Sequence, residues 1–200
     1  MAANTERRRT SAGPVLQSEV TDAIQTAFFA ELAEVGYGRL SIDAVAKRAG
    51  VGKAAIYRRW RSKLDITVAL TSAVAVAAID VPDTGSLRAD IRQYLENACE
   101  ALTHPLAGQI IPDLLAEAMR NPALAEALHT VRTPRRAKAA ILFQRAIERG
   151  ELSAESDLEM CMDVLAGPLY WRLAIARTPT GADYLDRLTE IVMAALTLNA

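Results

Sequence analysis

The chain has 200 residues, of which 51% are hydrophobic, and only eight prolines and ten glycines, a composition that favours one or two helical cores over a sheet. Its formal net charge of −1 hides an asymmetry: residues 1–64 hold 11 basic and 6 acidic side chains, whereas residues 65–200 hold 12 basic and 18 acidic ones. Residues 1–64 thus carry a net charge of +5 and residues 65–200 a net charge of −6. This asymmetry predicts an N-terminal part, the head, that binds a polyanion, and a C-terminal part, the body, that has a different function.

Other simple patterns exclude several classes of protein. Cys99 and Cys161 have no zinc-like spacing and are predicted to be reduced core thiols, so we expect no metal and no cofactor. The start of the chain lacks the apolar run of a secretory signal. The apolar stretch 66–79 is shorter than the roughly 20 residues of a membrane span. The sequence therefore predicts a cytoplasmic protein with no membrane partner.

The first elements form a small head over residues 15–62. Residues 1–14 are polar, contain three consecutive arginines (7–9) and are predicted to be a flexible basic arm, either a solvated tail or a segment that lies along DNA. From Val15 the apolar residues follow helical spacing until Gly36 and Gly38 end the helix.

Two short helices follow, separated by a glycine-containing turn. Ser41 is the predicted N-cap of a helix over 42–49, Gly50 ends it, and Gly52 opens the next helix. The residues expected to form the core of the head are Phe28, Leu32, Leu40, Ile42, Val45, Ile56 and Trp60. This helix-turn-helix pattern predicts a brace helix and a second helix that projects its first residues into a DNA major groove.

The charge of this segment agrees with a DNA-binding role. Residues 39–64 contain eight Lys or Arg and one acid, Asp43. The candidates for base contact are Lys53, Ala54 and Tyr57, because they share the leading face of the second helix. The candidates for phosphate contact are Ser41, Tyr57, Arg58 and Lys63. Arg58 and Arg59 are long enough to reach either a base or a phosphate, and Gly52, which opens the second helix, belongs to the same DNA-binding set. The alternative is a solvated basic face.

The remaining residues, 63–200, are predicted to form a helical body. Ser62 and Ser86 are the predicted N-caps of its first two helices, and residues 81–85 form the loop between them. The predicted helices cover 63–79, 86–103, 105–120 with a bend or an interruption at Pro112, 121–149 with a kink or break at Pro134, 157–177 and 182–198. No segment alternates with a period of two, so the fold class is all-α.

The segment SIDAVAKRAGVGKAAIYRRWRSK resembles the helix-turn-helix of the tetracycline-repressor-like (TetR) family of bacterial transcription regulators. The positions that carry the resemblance are Ala46, Ala49, Gly50, Val51, Ile56, Tyr57, Ser62, Lys63 and Ile66. Gly52 departs from the family's usual Ser or Thr, Arg59 from His and Trp60 from Phe. The stretches NPALAEAL, RAIERGEL and GPLYWRLAI resemble one C-terminal subtype of the family.

The resemblance implies a homodimer that binds a palindromic operator in double-stranded DNA. The apolar stripes of the last two helices predict a four-helix dimer interface, with the alternative that they seal the core of the monomer. The predicted interface residues are Leu165, Leu169, Leu173, Leu185, Leu188, Val192 and Leu196.

The interrupted helices of the body predict a cavity for an apolar or aromatic effector. The candidate ligand-binding residues are Cys99, Leu102, His104, Leu115, Met119, Met160 and Trp171, with ordinary core packing as the alternative for each. The leading hypothesis is a repressor released by a small molecule. The alternatives are a DNA-binding regulator controlled by a protein partner instead, and an all-helical enzyme, for which the sequence offers no catalytic motif.

Overall fold

The computed structural model describes residues 14–77 and 80–197, and all regular structure in these ranges is helical, which confirms the all-α prediction. The predicted arm, apart from Pro14, lies outside the described residues, as do the last positions of two predicted helices. The α-helices are α1 (Pro14–Arg39), α2 (Ile42–Arg48), α3 (Lys53–Tyr57), α4 (Lys63–Ala77), α5 (Leu87–Thr103), α6 (Pro105–Ala118), α7 (Pro122–Glu148), α8 (Leu158–Tyr170) and α9 (Ala182–Thr197).

The head forms where the apolar pattern predicted it. The Ser41 hydroxyl accepts a hydrogen bond from the backbone N–H of Ala44 at 3.2 Å and caps α2, while Gly52 caps α3 without a side chain. All seven predicted core residues, Phe28, Leu32, Leu40, Ile42, Val45, Ile56 and Trp60, are buried. The same apolar cluster continues into α4, α6 and α7 through Ile66, Leu70, Ile110, Leu114 and Leu124, so the head and the body share packing.

The first helix changes direction at Gly36. This residue has φ 75° and ψ 163°, a backbone conformation open essentially to glycine alone. A Cβ at this position would lie 2.5 Å from Oδ1 of Asp113 on α6. Glycine is thus required at the bend both for its backbone angles and for the close approach of α6.

The body has its own core, built from α5, α7, α8 and α9, and a buried carboxylate fixes the loop that enters it. Asp90 is fully buried and accepts hydrogen bonds from the N–H and the hydroxyl of Thr84, both at 2.7 Å, and from Arg149 at 2.9 Å. Burial alone raises the pKa of Asp90, but these hydrogen bonds outweigh it and hold the pKa below its usual value.

Two predicted features of the body helices differ in part from the structure. The sequence predicts a kink or a break at Pro134, and there is no break, since α7 runs continuously from Pro122 to Glu148. The helix expected over 157–177 instead ends at Tyr170 and continues as a π-helical turn from Trp171 to Ile175, in which the N–H of Ala176 donates to the carbonyl of Trp171 at 2.8 Å. Pro168 lies inside α8, where it cannot donate to the carbonyl of Val164, but the N–H of Trp171 still donates to the carbonyl of Gly167.

Candidate nucleic-acid interface and central cavity

The outer face of the helix-turn-helix combines small, aromatic and cationic side chains. Lys53 and Ala54 begin α3 and are exposed, and Tyr57 at its end is 51% exposed. In contrast, Ile56 and Trp60 point into the core and anchor the helix. Because α3 is held from behind, its first turn is presented to solvent in a fixed orientation, which is what major-groove recognition requires.

Some of the charge of the segment is used to brace its helices. Arg48 on α2 pairs with Glu31 at 2.9 Å and with Glu34, both on α1. Lys53 pairs with Asp43 across the turn at 2.5 Å, but both side chains are largely exposed. Exposed pairs of this kind stabilise a protein by only about 0–1 kcal/mol, so a phosphate or a base can compete for Lys53.

Two of the predicted DNA-binding cations, Arg59 and Lys63, are partly buried and hydrogen-bonded within the protein. The guanidinium of Arg59 donates to the hydroxyl of Thr21 at 3.1 Å and to the carbonyl of Ala55 at 2.9 Å. The ammonium of Lys63 donates to the carbonyl of Tyr37 at 2.9 Å and lies 4.5 Å from the centre of its ring. Both side chains therefore stabilise the junctions between helices in this conformation, whereas Ser41, Gly52 and Arg58 are exposed.

Four further cations of residues 39–64 are exposed and were not among the predicted contacts, but two of them, Arg39 and Arg48, are hydrogen-bonded to groups of α1. Of the other two, Lys47 lies on α2, and Arg61 lies just before α4. The sequence carried a signal for both, since they belong to the cluster of eight cations between residues 39 and 64. Which of those cations stay at the surface depends on tertiary pairing, and the spacing along the chain does not show it.

A cavity of about 600 Å³ lies between the head and the body, a volume typical of small-molecule sites. Its walls come from α1, α4, α5, α6 and α7 together with Tyr170 of α8. Most of its lining is apolar or aromatic: Phe29, Val74, Ala75, Tyr94, Ala98, Ala101, Leu102, Leu106, Ala107, Ile110, Ile111, Leu114, Leu115, Leu128, Val131 and Tyr170.

Three of the predicted ligand-binding residues, Leu102, His104 and Leu115, line this cavity. His104 also caps α6, because its Nδ1 accepts a hydrogen bond from the N–H of Leu106 at 3.3 Å. The other four do not line it. Cys99 lies on another face of α5 with its Sγ 3.0 Å from Oγ1 of Thr180. The remaining three predicted residues are exposed at the surface: Met119 at 87%, Met160 at 50% and Trp171 at 64%.

Helix α6 connects the cavity to the end of α1. Ile110, Ile111 and Leu114 line the cavity, while Asp113 accepts a hydrogen bond from the backbone N–H of Tyr37 at 2.7 Å. Burial raises the pKa of the Tyr37 hydroxyl, and the nearby carboxylate of Glu117, which also lies on α6, raises it further. One helix thus contacts both the candidate ligand site and the bend at the base of the head.

The predicted dimer-interface residues occupy the inside of the chain. Six of them, Leu165, Leu169, Leu185, Leu188, Val192 and Leu196, are at most 6% exposed, and Leu173 is half-buried. They cannot form a partner surface, because they pack into the core of the body with α5 and α7. The exposed apolar side chains of this region lie on other faces of the same elements: Met160, Trp171, Ile175 and Ile191.

The described residues offer little support for other kinds of site. No group of three or more His, Cys, Asp or Glu that could hold a metal ion occurs among them. None of the helices within residues 14–77 and 80–197 combines the length and the apolar character needed to span a membrane.

The geometry defines a class of protein: a helix-turn-helix DNA-binding head on an all-helical body. Comparison with known proteins identifies the family. Residues 26–70 match the model of bacterial regulatory proteins of the tetR family, and residues 81–192 match the tetracyclin repressor-like C-terminal domain. The chain belongs to the TetR family of transcription regulators.

Individual relatives agree with this assignment. The chain is 33% identical to the uncharacterized HTH-type transcriptional regulator YdeS of Bacillus subtilis, over 83% of this chain and 84% of YdeS. It is 31% identical to the DNA-binding transcriptional repressor TetR of Mycobacteroides abscessus, over 80% of this chain and 85% of that one. The crystal structure of the TetR family regulator SCO0332 superposes with a TM-score of 0.71 at 28% identity, covering 88% and 97% of the two chains.

Proposed function

We propose that this regulator is a repressor that binds a palindromic operator as a homodimer and releases it when a small molecule occupies the central cavity. The observation that carries the proposal is the double role of α6, which lines the cavity and accepts the hydrogen bond from Tyr37 through Asp113. A ligand that binds better to another position of α6 would shift the population toward a different placement of the head. The DNA target implies a cytoplasmic site of action.

The exposed face of the helix-turn-helix supports a division of labour at the operator. Lys53, Ala54 and Tyr57 on α3 are placed for base readout, with Ala54 suited to a thymine methyl and Lys53 to guanine acceptors. Ser41, Gly52, Arg58 and the two additional cations Lys47 and Arg61 are suited to phosphate contact, which fixes the register of the head on the duplex. Arg59 and Lys63 contribute by holding the helices in place.

Operator binding can be measured by fluorescence anisotropy with labelled fragments from the region upstream of the regulator's own gene. We expect a dissociation constant in the nanomolar to micromolar range and competition by unlabelled operator but not by random DNA. The logarithm of the binding constant is expected to fall by about 0.9 per phosphate contact for each tenfold rise in salt concentration. A protein that retains every fragment equally, or none, would contradict sequence-specific DNA binding.

The homodimer is supported by the exposed apolar side chains of α8, the π-helical turn and α9. Met160, Val164, Gly167 and Trp171 follow one face of α8 with spacings of four, three and four residues and continue to Ile175. On α9, Ile191 is 62% exposed although the helix buries its opposite residues. A symmetric dimer would cover this face with the same face of a second copy, and two heads would then read two half-sites.

Replacing Ile191 by glutamate tests this interface. We expect the dimer dissociation constant to rise by about 100-fold, because symmetry places two unpaired carboxylates in one apolar interface. Sedimentation velocity over a concentration series measures the change. Ile141→Glu is the matched control, since Ile141 is also exposed but lies on α7. Equal dimer stability in Ile191→Glu and the wild type would place the interface elsewhere.

A further inference from the structure

The charged groups of the cavity lining have one sign. Two carboxylates, Asp80 and Glu100, belong to the lining, and none of the described lining residues is Lys or Arg. Both residues are exposed, and neither carboxylate has a Lys or Arg partner within 4 Å among the described side chains. Their charges are therefore directed at solvent or at an occupant of the cavity.

The aromatic lining has the same preference. The rings of Phe29, Tyr94 and Tyr170 come from three different helices and line a single apolar space. The faces of aromatic rings carry negative partial charge and attract cations, most strongly when the cation is shielded from water. The acidic and the aromatic residues of the lining act in one direction: they favour a positive charge and oppose a negative one.

This lining differs from what an anionic effector needs. A similar fold, the regulator FadR from Bacillus subtilis, is known in complex with stearoyl-CoA, and it superposes with a TM-score of 0.72 at 14% identity, covering 87% of this chain and 98% of FadR. Coenzyme A carries several phosphate charges, which require cationic partners. The described lining of the present cavity holds no Lys or Arg, and its imidazole, that of His104, accepts the N–H of Leu106 through Nδ1. The similar fold therefore does not by itself imply the same class of ligand.

We propose that the central cavity takes a lipophilic cation, that is, an apolar or aromatic molecule with a quaternary or protonated nitrogen, and that Asp80 and Glu100 select for its charge. This inference rests on the proposed effector function and specifies the ligand class. The apolar walls supply most of the affinity through the hydrophobic effect, and the carboxylates and rings supply the discrimination by charge.

Two probes of nearly identical size and shape test the charge preference. Tetraphenylphosphonium is a lipophilic cation, and tetraphenylborate is its anionic counterpart. Isothermal titration calorimetry of the full-length protein in sodium buffer gives a dissociation constant for each probe. The protein variants are the wild type, Asp80→Asn/Glu100→Gln, and the control Glu126→Gln, which removes an exposed carboxylate of α7 that does not line the cavity.

The decisive quantity is the dissociation constant for tetraphenylborate divided by that for tetraphenylphosphonium. Comparing this ratio between proteins cancels the intrinsic difference in hydration of the two probes. We expect the double variant to lower the ratio by at least about tenfold, because removing the carboxylates weakens cation binding and relieves anion repulsion together. Glu126→Gln is expected to leave the ratio within about twofold of the wild type, since Glu126 is exposed to solvent and does not line the cavity.

Each outcome has one meaning. A ratio that is unchanged in the double variant overturns the selection by Asp80 and Glu100, and stronger binding of tetraphenylborate than of tetraphenylphosphonium by the wild type overturns the cation preference. Absence of binding by both probes at millimolar concentration also overturns the inference. Operator affinity, measured separately by anisotropy without any probe, tests the DNA-binding function, so failure of the ligand class and failure of the regulator are distinguished.

Discussion

Replacing Ala54 by glutamate is expected to lower operator affinity by about 100-fold while leaving the fold intact, since the new carboxylate meets phosphates and displaces a close base contact. Ala54 is exposed at the start of α3, where a larger side chain has room in the free protein. Anisotropy titrations at constant salt measure the loss, and thermal unfolding without DNA verifies that the head remains folded.

A charge-matched control separates a local effect from a change in net charge. Ala125→Glu adds the same side chain at an exposed position of α7 in the body. Its operator affinity is expected to stay within about threefold of the wild type, because Ala125 lies on a solvent-exposed face outside the helix-turn-helix, where a single added charge is screened by solvent and salt. If Ala54→Glu bound as tightly as Ala125→Glu, the first turn of α3 would not enter the groove.

The second large effect is expected at the bend of α1. Gly36→Ala is expected to lower the free energy of unfolding by about 3 kcal/mol or more, since it combines a glycine-only backbone conformation with a steric clash. The added Cβ would lie 2.5 Å from Oδ1 of Asp113, a distance that real Cβ atoms essentially never show. Urea unfolding monitored by tryptophan fluorescence gives the change.

Two further variants divide this loss between its causes. Gly85→Ala introduces a side chain at φ 91° with no atom within 4 Å, so it reports the backbone cost alone, which we expect to be about 1 kcal/mol. Asp113→Ala in the Gly36→Ala background removes the clashing carboxylate and is expected to recover part of the stability. If Gly36→Ala cost no more than Gly85→Ala, the close approach of α6 to the bend would be unimportant for folding.

The sequence predicted the parts of the fold that depend on local chemistry. Helix starts followed from capping hydroxyls, as at Ser41, Ser62 and Ser86, and each of these hydroxyls accepts a backbone N–H in the structure. The core of the head followed from helical spacing of apolar residues. The helix geometry around Pro134 and Pro168 was harder to predict, because the effect of a proline inside a helix depends on how the surrounding packing accommodates the lost hydrogen bond.

Site residues that depend on tertiary partners were harder to predict. Arg59 and Lys63 have the sequence signature of DNA contacts, but a hydroxyl and backbone carbonyls from α1 and α3 bind them instead. Apolar stripes on α8 and α9 show that these helices are buried, and they do not show whether their own chain or a second copy covers them. Tyr94 and Tyr170 join the cavity only because distant segments pack together.

The cavity is not confined to the body, since Gln25 and Phe29 of α1 form part of its wall. Ligand specificity and operator specificity are therefore encoded in overlapping stretches of sequence. A chimera that exchanged residues 15–62 between two relatives to redirect one regulator to another promoter would also transplant part of the effector site. Engineered sensors built from this chain would retain their inducer profile only if these two positions were kept with the body to which they belong.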